Sequence, residues 1–188
     1  MKIILSFVSI VIFSVAACAQ GTKVAIVNSN QFSADKVGIT KLVNAYNALD
    51  VEFKPASDEI VQLNTRLSTL SKELGALQDQ ATKPGANLQA LQTQIDQKTD
   101  EVQNLQLTSK RKQEDAKDRY EKAEKAKTDP IIKEISDALQ AYSKAHGIDL
   151  LLDVSKLDSL VSFSPTIDIT DAFIKEFNAK TAGLPVKP

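Results

Sequence analysis

Apolar residues recur three or four positions apart, without a slip, from residue 39 to residue 81. This spacing is typical of a helix that presents one apolar seam to a partner. After a break at Lys83, Pro84 and Gly85, the same spacing resumes. Two matching seams joined by a tight turn predict an antiparallel helical hairpin. The first seam contains Ile39, Leu42, Tyr46, Leu49, Phe53, Ala56, Ile60, Leu63, Leu67, Leu70, Leu74, Leu77 and Ala81, and the second contains Leu88, Leu91, Ile95, Lys98, Val102 and Leu105.

The hairpin is expected to form an arm over residues 39–127, with its tip near residues 82–87. At a rise of 1.5 Å per residue its first helix would be about 65 Å long. If the turn centres on Pro84, each residue faces the one whose number brings the pair to about 168. Past Leu105 the seam positions are less apolar, so the arm is expected to loosen towards its base. Those positions are Ser109, Lys112, Ala116, Arg119 and Ala123.

Pro55 lies inside the first seam. A proline within a helix removes one backbone hydrogen bond and clashes with the preceding turn, at a cost of about 3 kcal/mol or more. A kink is therefore expected between Val51 and Pro55, opposite Gln113, and we interpret this level as a hinge. The alternative is that a second helix begins here with Pro55 at its first position.

Short strands flank the arm. Residues 23–28 and 148–154 are apolar runs bounded by polar or turn residues, and each predicts a buried strand. Residues 160–163 predict a third. Two or three short strands cannot close a sheet, and open strand edges invite pairing with other chains. The expected fold class is therefore α+β, with a small β body assembled between subunits and one long helical hairpin per chain.

The remaining residues are expected to complete this body, which comprises residues 20–38 and 128–188. Thr128 and Asp129 precede Pro130, a pattern that predicts a new helix starting there and stopping at Gly147. Residues 168–178 predict a short amphipathic helix with Thr170 as its N-cap.

The N-terminus indicates export. Lys2 precedes a short apolar run and then small residues, which is the pattern of a signal peptide over residues 1–19. Two cleavage sites overlap: one removes Cys18 with the signal, and the other resembles a bacterial lipobox in which Cys18 becomes acylated. The expected location is the periplasm, either free or anchored to a membrane by lipid. Cys18 is the single cysteine, so no internal disulfide can form.

Composition narrows the function. The chain has 23 Lys and Arg against 24 Asp and Glu, a net charge of −1, which argues against a nucleic-acid partner. One His, one Cys and six Gly leave few ways to build a catalytic triad, a metal site or a phosphate cradle. We therefore expect no enzyme activity and no cofactor. His146 precedes Gly147 at a helix end, where it caps carbonyls rather than catalyses.

The order of these elements resembles the OmpH/Skp family of periplasmic chaperones. The most specific matches are the strand at 23–28, the run Gly147–Asp153 and the helix start at Asp168–Asp171. The resemblance implies a homotrimer with a small β body and three arms that enclose a cavity. It also implies that the cavity holds unfolded outer-membrane β-barrel proteins. The rival interpretation is an envelope structural or adaptor protein that uses its arms to bridge folded partners.

Candidate client contacts lie on the arm. Family members look strongly basic, whereas this chain has a pI of about 5.9. Residues 110–127 nevertheless carry eight bases against five acids. The alternative for these bases is a solvated helix face with paired charges. Val43, Val61 and Leu107 lie off the seam, where they serve either as shallow apolar contacts or as ordinary surface residues. The candidate charged contacts are Lys110, Arg111, Lys112, Lys117 and Arg119.

Overall fold

Two long α-helices dominate the computed structural model, which describes residues 21–182. Helix α1 spans Thr40–Ala81 and helix α2 spans Leu88–Ala145. At 1.5 Å per residue they are about 63 Å and 87 Å long. The turn between them uses Gly85 at φ 80°, a value that favours glycine, and the Asn87 side chain then accepts the backbone N–H of Ala90. The predicted hairpin is confirmed.

The seam holds α1 against α2. Every seam residue of α1 from Ile39 to Ala81 is buried or half-buried, and Leu42, Leu49 and Leu70 are buried. On α2 the prediction is wrong at three positions. Leu88 is 61% exposed at the start of the helix, Lys112 is exposed, and Tyr120 takes the inward position predicted for Arg119. A step of four residues from Ala116 places the aromatic ring inside and leaves the guanidinium in solvent.

The register is offset from the prediction. Arg66 pairs with Glu101 in the middle of the arm, close to the predicted alignment. Ser109 bonds to Asn64 at about the same level, and Phe53 packs on Tyr120 towards the base, and in both pairs the α2 residue lies five positions beyond the predicted partner. A turn centred on Pro84 therefore predicts the antiparallel pairing but not its exact register.

The predicted helix start at Pro130 is wrong, because α2 runs through this residue without interruption. Thr128 is buried, and its hydroxyl donates to the carbonyl of Glu124 within the helix rather than capping a new one. Thr128, Ile131 and Ile135 continue the spacing of three and four on the face towards α1. Packing of this continuous face outweighs the hydrogen bond lost at Pro130.

The sheet has two strands within the described residues. Strands β1, Val24–Val27, and β2, Leu150–Asp153, pair in parallel with Val24 opposite Leu150. On its other side β1 forms a single bridge between Ile26 and Asp168. Residues 160–163, predicted as a third strand, are not in a strand and are exposed.

Helix α3, Thr170–Thr181, closes the described chain, but Thr170 is its first residue rather than its N-cap. The Asp168 carboxylate accepts both the backbone N–H and the hydroxyl of Thr170. The Thr170 hydroxyl oxygen in turn accepts the backbone N–H of Asn28 at 2.9 Å, at the end of β1. The capping task predicted for Thr170 is thus carried out by Asp168, and Thr170 joins α3 to the sheet.

One apolar core joins the roots of the two long helices to β1 and α3. The Phe173 ring packs against Phe32 and Tyr142. Strand β1, helix α3 and both long helices each contribute buried side chains to the core. Because both arm helices end in this core, the arm is a direct extension of the body. The buried members are Val27, Phe32, Ile39, Leu42, Ile135, Tyr142, Phe173, Ile174 and Phe177.

A carboxylate ties the ends of the two strands together. The Asp153 carboxylate accepts the backbone N–H groups of Ser29 and Ser155, as well as the Ser155 hydroxyl. Burial raises the pKa of Asp153, but hydrogen bonds from the two serines outweigh it and hold the pKa below its ordinary value of 3.8.

We expect Asp153→Asn to destabilise the protein at pH 7 by about 1–2 kcal/mol, because an amide accepts these bonds less well. Since the folded pKa is lowered, the ionised carboxylate contributes fully above pH 3.8 and loses its contribution as pH falls through the folded value. Urea unfolding at several pH values measures the difference, which should shrink below pH 3.8. A gap that stays constant with pH contradicts this role.

Candidate functional site

The middle of the arm carries ion pairs that cross between the helices. Arg66 pairs with Glu101 at 2.6 Å, and Lys98 pairs with Glu73 at 2.5 Å. Both pairs are partly exposed, so each contributes at most about 1 kcal/mol. Their position beside the seam favours one alignment of the two helices.

A buried polar contact interrupts the seam. Ser109 is 3% exposed, and its hydroxyl donates to the Asn64 side-chain carbonyl at 3.0 Å. The Gln113 amide donates to the same hydroxyl oxygen at 3.1 Å. A satisfied polar contact inside a coiled coil specifies register at a cost in stability. The predicted weakening of the seam therefore begins here.

The candidate basic residues are largely engaged within the arm. Lys110, Lys117 and Arg119 pair with acids on their own helix, Glu114, Glu121 and Asp115, at 3.7–3.9 Å. Lys112 instead reaches across to Glu59 on α1 at 2.8 Å, and Arg111 is exposed. This arrangement matches the alternative of a solvated, internally paired face. A charged partner has to compete with these acids for the same cations.

An aromatic cluster lies next to these basic residues, on the side towards the base of the arm. The rings of Phe53 and Tyr120 pack edge to face with centroids 5.2 Å apart, and the Arg119 guanidinium lies 5.9 Å from the centre of the Phe53 ring. Burial, and then the nearby Glu124 carboxylate, raise the pKa of Tyr46 and of Tyr120. Edge-to-face aromatic pairs add about 0.5–1.5 kcal/mol beyond area burial. The cluster fastens the two helices close to Pro55.

The candidate apolar contacts do not form one patch. Val43 is half-buried near the root of the arm. Val61 is 60% exposed and Leu107 is 47% exposed, and they lie on different helices. Successive helix residues are about 100° apart, so Leu107, two residues from each of Leu105 and Ser109, points away from the seam. Val61 and Leu107 are thus exposed on different helices, and Val43 lies nearer the root of the arm.

Val61 borders a shallow depression on the outer face of α1. Small polar side chains make up most of its lining. The lining residues are Val61, Asn64, Thr65, Ser68, Thr69 and Lys72.

Pro55 lies within α1, which continues on both sides of it. The interpretation that a second helix begins at Pro55 is therefore wrong. Pro55 itself is exposed, two residues from the Phe53 ring. The hinge stays a prediction at this level, where one backbone hydrogen bond of α1 is missing.

The body also exposes apolar side chains. Leu150, at the start of β2, and apolar residues of the segment after the strand are exposed, and Val161 is 98% exposed. Strand β1 is flanked on both sides, whereas β2 has a pairing partner on one side only within the described residues. We call this surface the β2 edge patch: Leu150, Leu157, Leu160, Val161 and Phe163.

Sequence reasoning missed two contacts of the arm. Tyr120 was detectable, because a step of four residues from Ala116 reaches an aromatic residue. The pairing of Asn64 with Ser109 carried no such signal, because Asn64 lies off the predicted seam. Cys18 and the predicted signal peptide lie outside the described residues.

No helix within residues 21–182 has the length and apolarity that a membrane span requires. In this same range, no group of three or more His, Cys, Asp or Glu side chains is placed to hold a metal ion.

The fold defines an elongated coiled-coil protein, in which two helices project from a small α/β body and expose their flanks to partners. The family described as outer membrane protein (OmpH-like) matches residues 23–177, and the chain belongs to this OmpH-like family. The family consists of periplasmic chaperones that bind outer membrane proteins, not of enzymes. No curated protein gives a significant match to the chain.

We expect Pro55→Ala to stabilise the arm by about 1–3 kcal/mol, because the missing hydrogen bond to the carbonyl of Val51 is restored. Amide hydrogen exchange of residues 51–54 should slow accordingly. Pro130→Ala is the matched control, since Pro130 also lies within a helix but next to Ile131 and Ile135 of the core region. Exchange in residues 51–54 that is unaffected by Pro55→Ala argues against a hinge at this level.

Proposed function

We propose that this protein is an ATP-independent periplasmic holdase that binds unfolded outer-membrane β-barrel proteins in a cavity between helical arms. The main support for the proposal is the exposed arm of a chain that belongs to a chaperone family. Outside the seam, this arm presents polar side chains and single apolar residues that are available to a client. Holding a chain in this way requires no nucleotide. Release occurs when folding in the membrane becomes more favourable than binding.

Weak, distributed contacts suit this arm better than one strong site. Val61 and the depression beside it, together with Leu107, offer small apolar areas on different sides. Since Lys110, Lys112, Lys117 and Arg119 already pair with acids, charge attraction adds little to client binding. Several arms that act together multiply weak affinities through effective concentration.

Several copies are needed to enclose a cavity, and the β2 edge patch supports such an assembly. It combines an unpaired strand edge with exposed apolar side chains, and both are stabilised when another chain covers them. The resemblance to OmpH/Skp chaperones implies three copies, so we infer a homotrimer with its strands at the centre.

The position of the N-terminus supports a tethered form. Lys23 donates to the carbonyl of His146, at the end of α2, 2.7 Å away. The tip of the arm lies at the opposite end of α2. Lys23 therefore lies at the end of the body furthest from the tip. If Cys18 carries lipid, the arms extend away from the membrane surface into the periplasm.

We expect the purified protein to suppress aggregation of a urea-unfolded outer-membrane β-barrel protein after dilution, without nucleotide. Light scattering at a stoichiometric ratio of chaperone to client measures this protection. Val61→Ser combined with Leu107→Ser should weaken protection several-fold, because each change removes an apolar contact. Gln62→Ser combined with Gln106→Ser is the matched control, since it changes exposed positions next to Val61 and Leu107 without removing an apolar side chain.

Ordinary aggregation at this ratio contradicts the holdase function. Binding to a folded envelope protein, with no protection of unfolded clients, favours the adaptor alternative.

We expect sedimentation velocity to give the mass of a trimer, and Val161→Asp to dissociate it. An aspartate in the β2 edge patch places an unpaired charge in an apolar contact. Val51→Asp makes the same change at an exposed arm position and should leave the mass unaltered. Circular dichroism checks that both variants keep their helices, and a wild-type protein that sediments as a single chain contradicts the assembly.

A further inference from the structure

The first turn of α1 has no cap from its own segment. Its N-cap is Ile39, which makes no side-chain hydrogen bond to the helix. The first backbone N–H groups of a helix need partners outside its hydrogen-bond ladder, and an uncapped start destabilises the helix. The partner here comes from α3. The Asn178 side-chain carbonyl accepts the backbone N–H of Thr40 at 3.0 Å.

Asn178 makes a second bond to the segment that enters the arm. Its side-chain amide donates to the carbonyl of Gly38 at 3.0 Å. Gly38 is tightly enclosed, because a Cβ there would lie 2.5 Å from the carbonyl oxygen of Phe32. The two bonds of Asn178 therefore hold a rigid turn and the helix that follows it.

Helix α3 is itself fixed to the body and reaches the other arm helix. Phe173, Ile174 and Phe177 are buried in the core. Glu176 lies 3.8 Å from the His146 side chain, at the C-terminal end of α2. Asn178 and Glu176 thus connect α3 to the start of α1 and to the end of α2.

These contacts matter because the two arm helices join the body differently. Helix α2 passes from the arm into the core without interruption. Helix α1 begins at the core edge, and Ile39 and Leu42 are its buried members there. The arm can change direction at its root only if the start of α1 separates from the body.

We propose that α3 is a brace that sets the direction of the arm, and that Asn178 is the positioning residue that fastens the root of α1. With the root held, bending is confined to the part of the arm above it, where Pro55 lies. The brace acts on arm geometry whatever the arm binds, so it does not depend on the chaperone function.

The test compares Asn178→Ala, which removes both bonds, with Asn178→Asp, which keeps an acceptor for Thr40 but loses the donor to Gly38. Lys175→Ala, at an exposed position of the same helix, is the control. In Asn178→Ala we expect amide hydrogen exchange of residues 40–43 to accelerate about fivefold. In Asn178→Asp, where a carboxylate suits a helix N-terminus, exchange should stay within twofold of wild type.

A second readout reports arm direction. Spin labels at Ser57→Cys and Asp171→Cys, in the chain with its single cysteine changed by Cys18→Ser, measure the distance from the arm to the body. We expect this distance distribution to broaden in Asn178→Ala and to stay unchanged in Lys175→Ala. If Asn178→Ala fails to fold, Asn178→Asp should still broaden it, because the Gly38 bond is lost. An unchanged distribution in the folded Asn178 variants overturns the brace, and equal exchange in Asn178→Ala and Asn178→Asp overturns the capping role.

Discussion

The rest of the structure depends on the apolar seam between α1 and α2. An isolated helix of this length, polar on most of its surface, has little to stabilise it in water, whereas two helices that bury one stripe against each other form a stable rod. The seam uses nearly every large apolar residue of the arm. What remains on the outside is polar and charged, with single apolar residues such as Val61. A surface of this kind suits weak and repeated contacts.

The contacts that make up the seam change from the tip of the arm to its base. Leucines fill it near the tip, whereas a buried hydrogen bond between Asn64 and Ser109 interrupts it halfway. Below that point Phe53 and Tyr120 fasten the helices beside Pro55. The exposed ion pairs contribute little stability individually and mainly favour one alignment. Apolar, polar and aromatic contacts thus follow one another along the arm.

In the body, the two-stranded sheet is too small to bury both of its edges. One core of aromatic and aliphatic side chains joins β1, α3 and the arm roots. The β2 edge patch stays outside this core. The proposed sharing of strands between copies would cover this patch.

The hairpin, its turn and the two strands are predictable from the chain alone, because spacings of three and four residues and short apolar runs are local signals. Gly147–Asp153 and Asp168–Asp171 also indicated the family. The exact register of the arm, the passage of α2 through Pro130, the inward turn of Tyr120 and the capping of α1 by Asn178 become visible only in the folded chain. These features depend on contacts between residues far apart in the chain, where packing outweighs local preference, and no local pattern encodes the outcome of that competition.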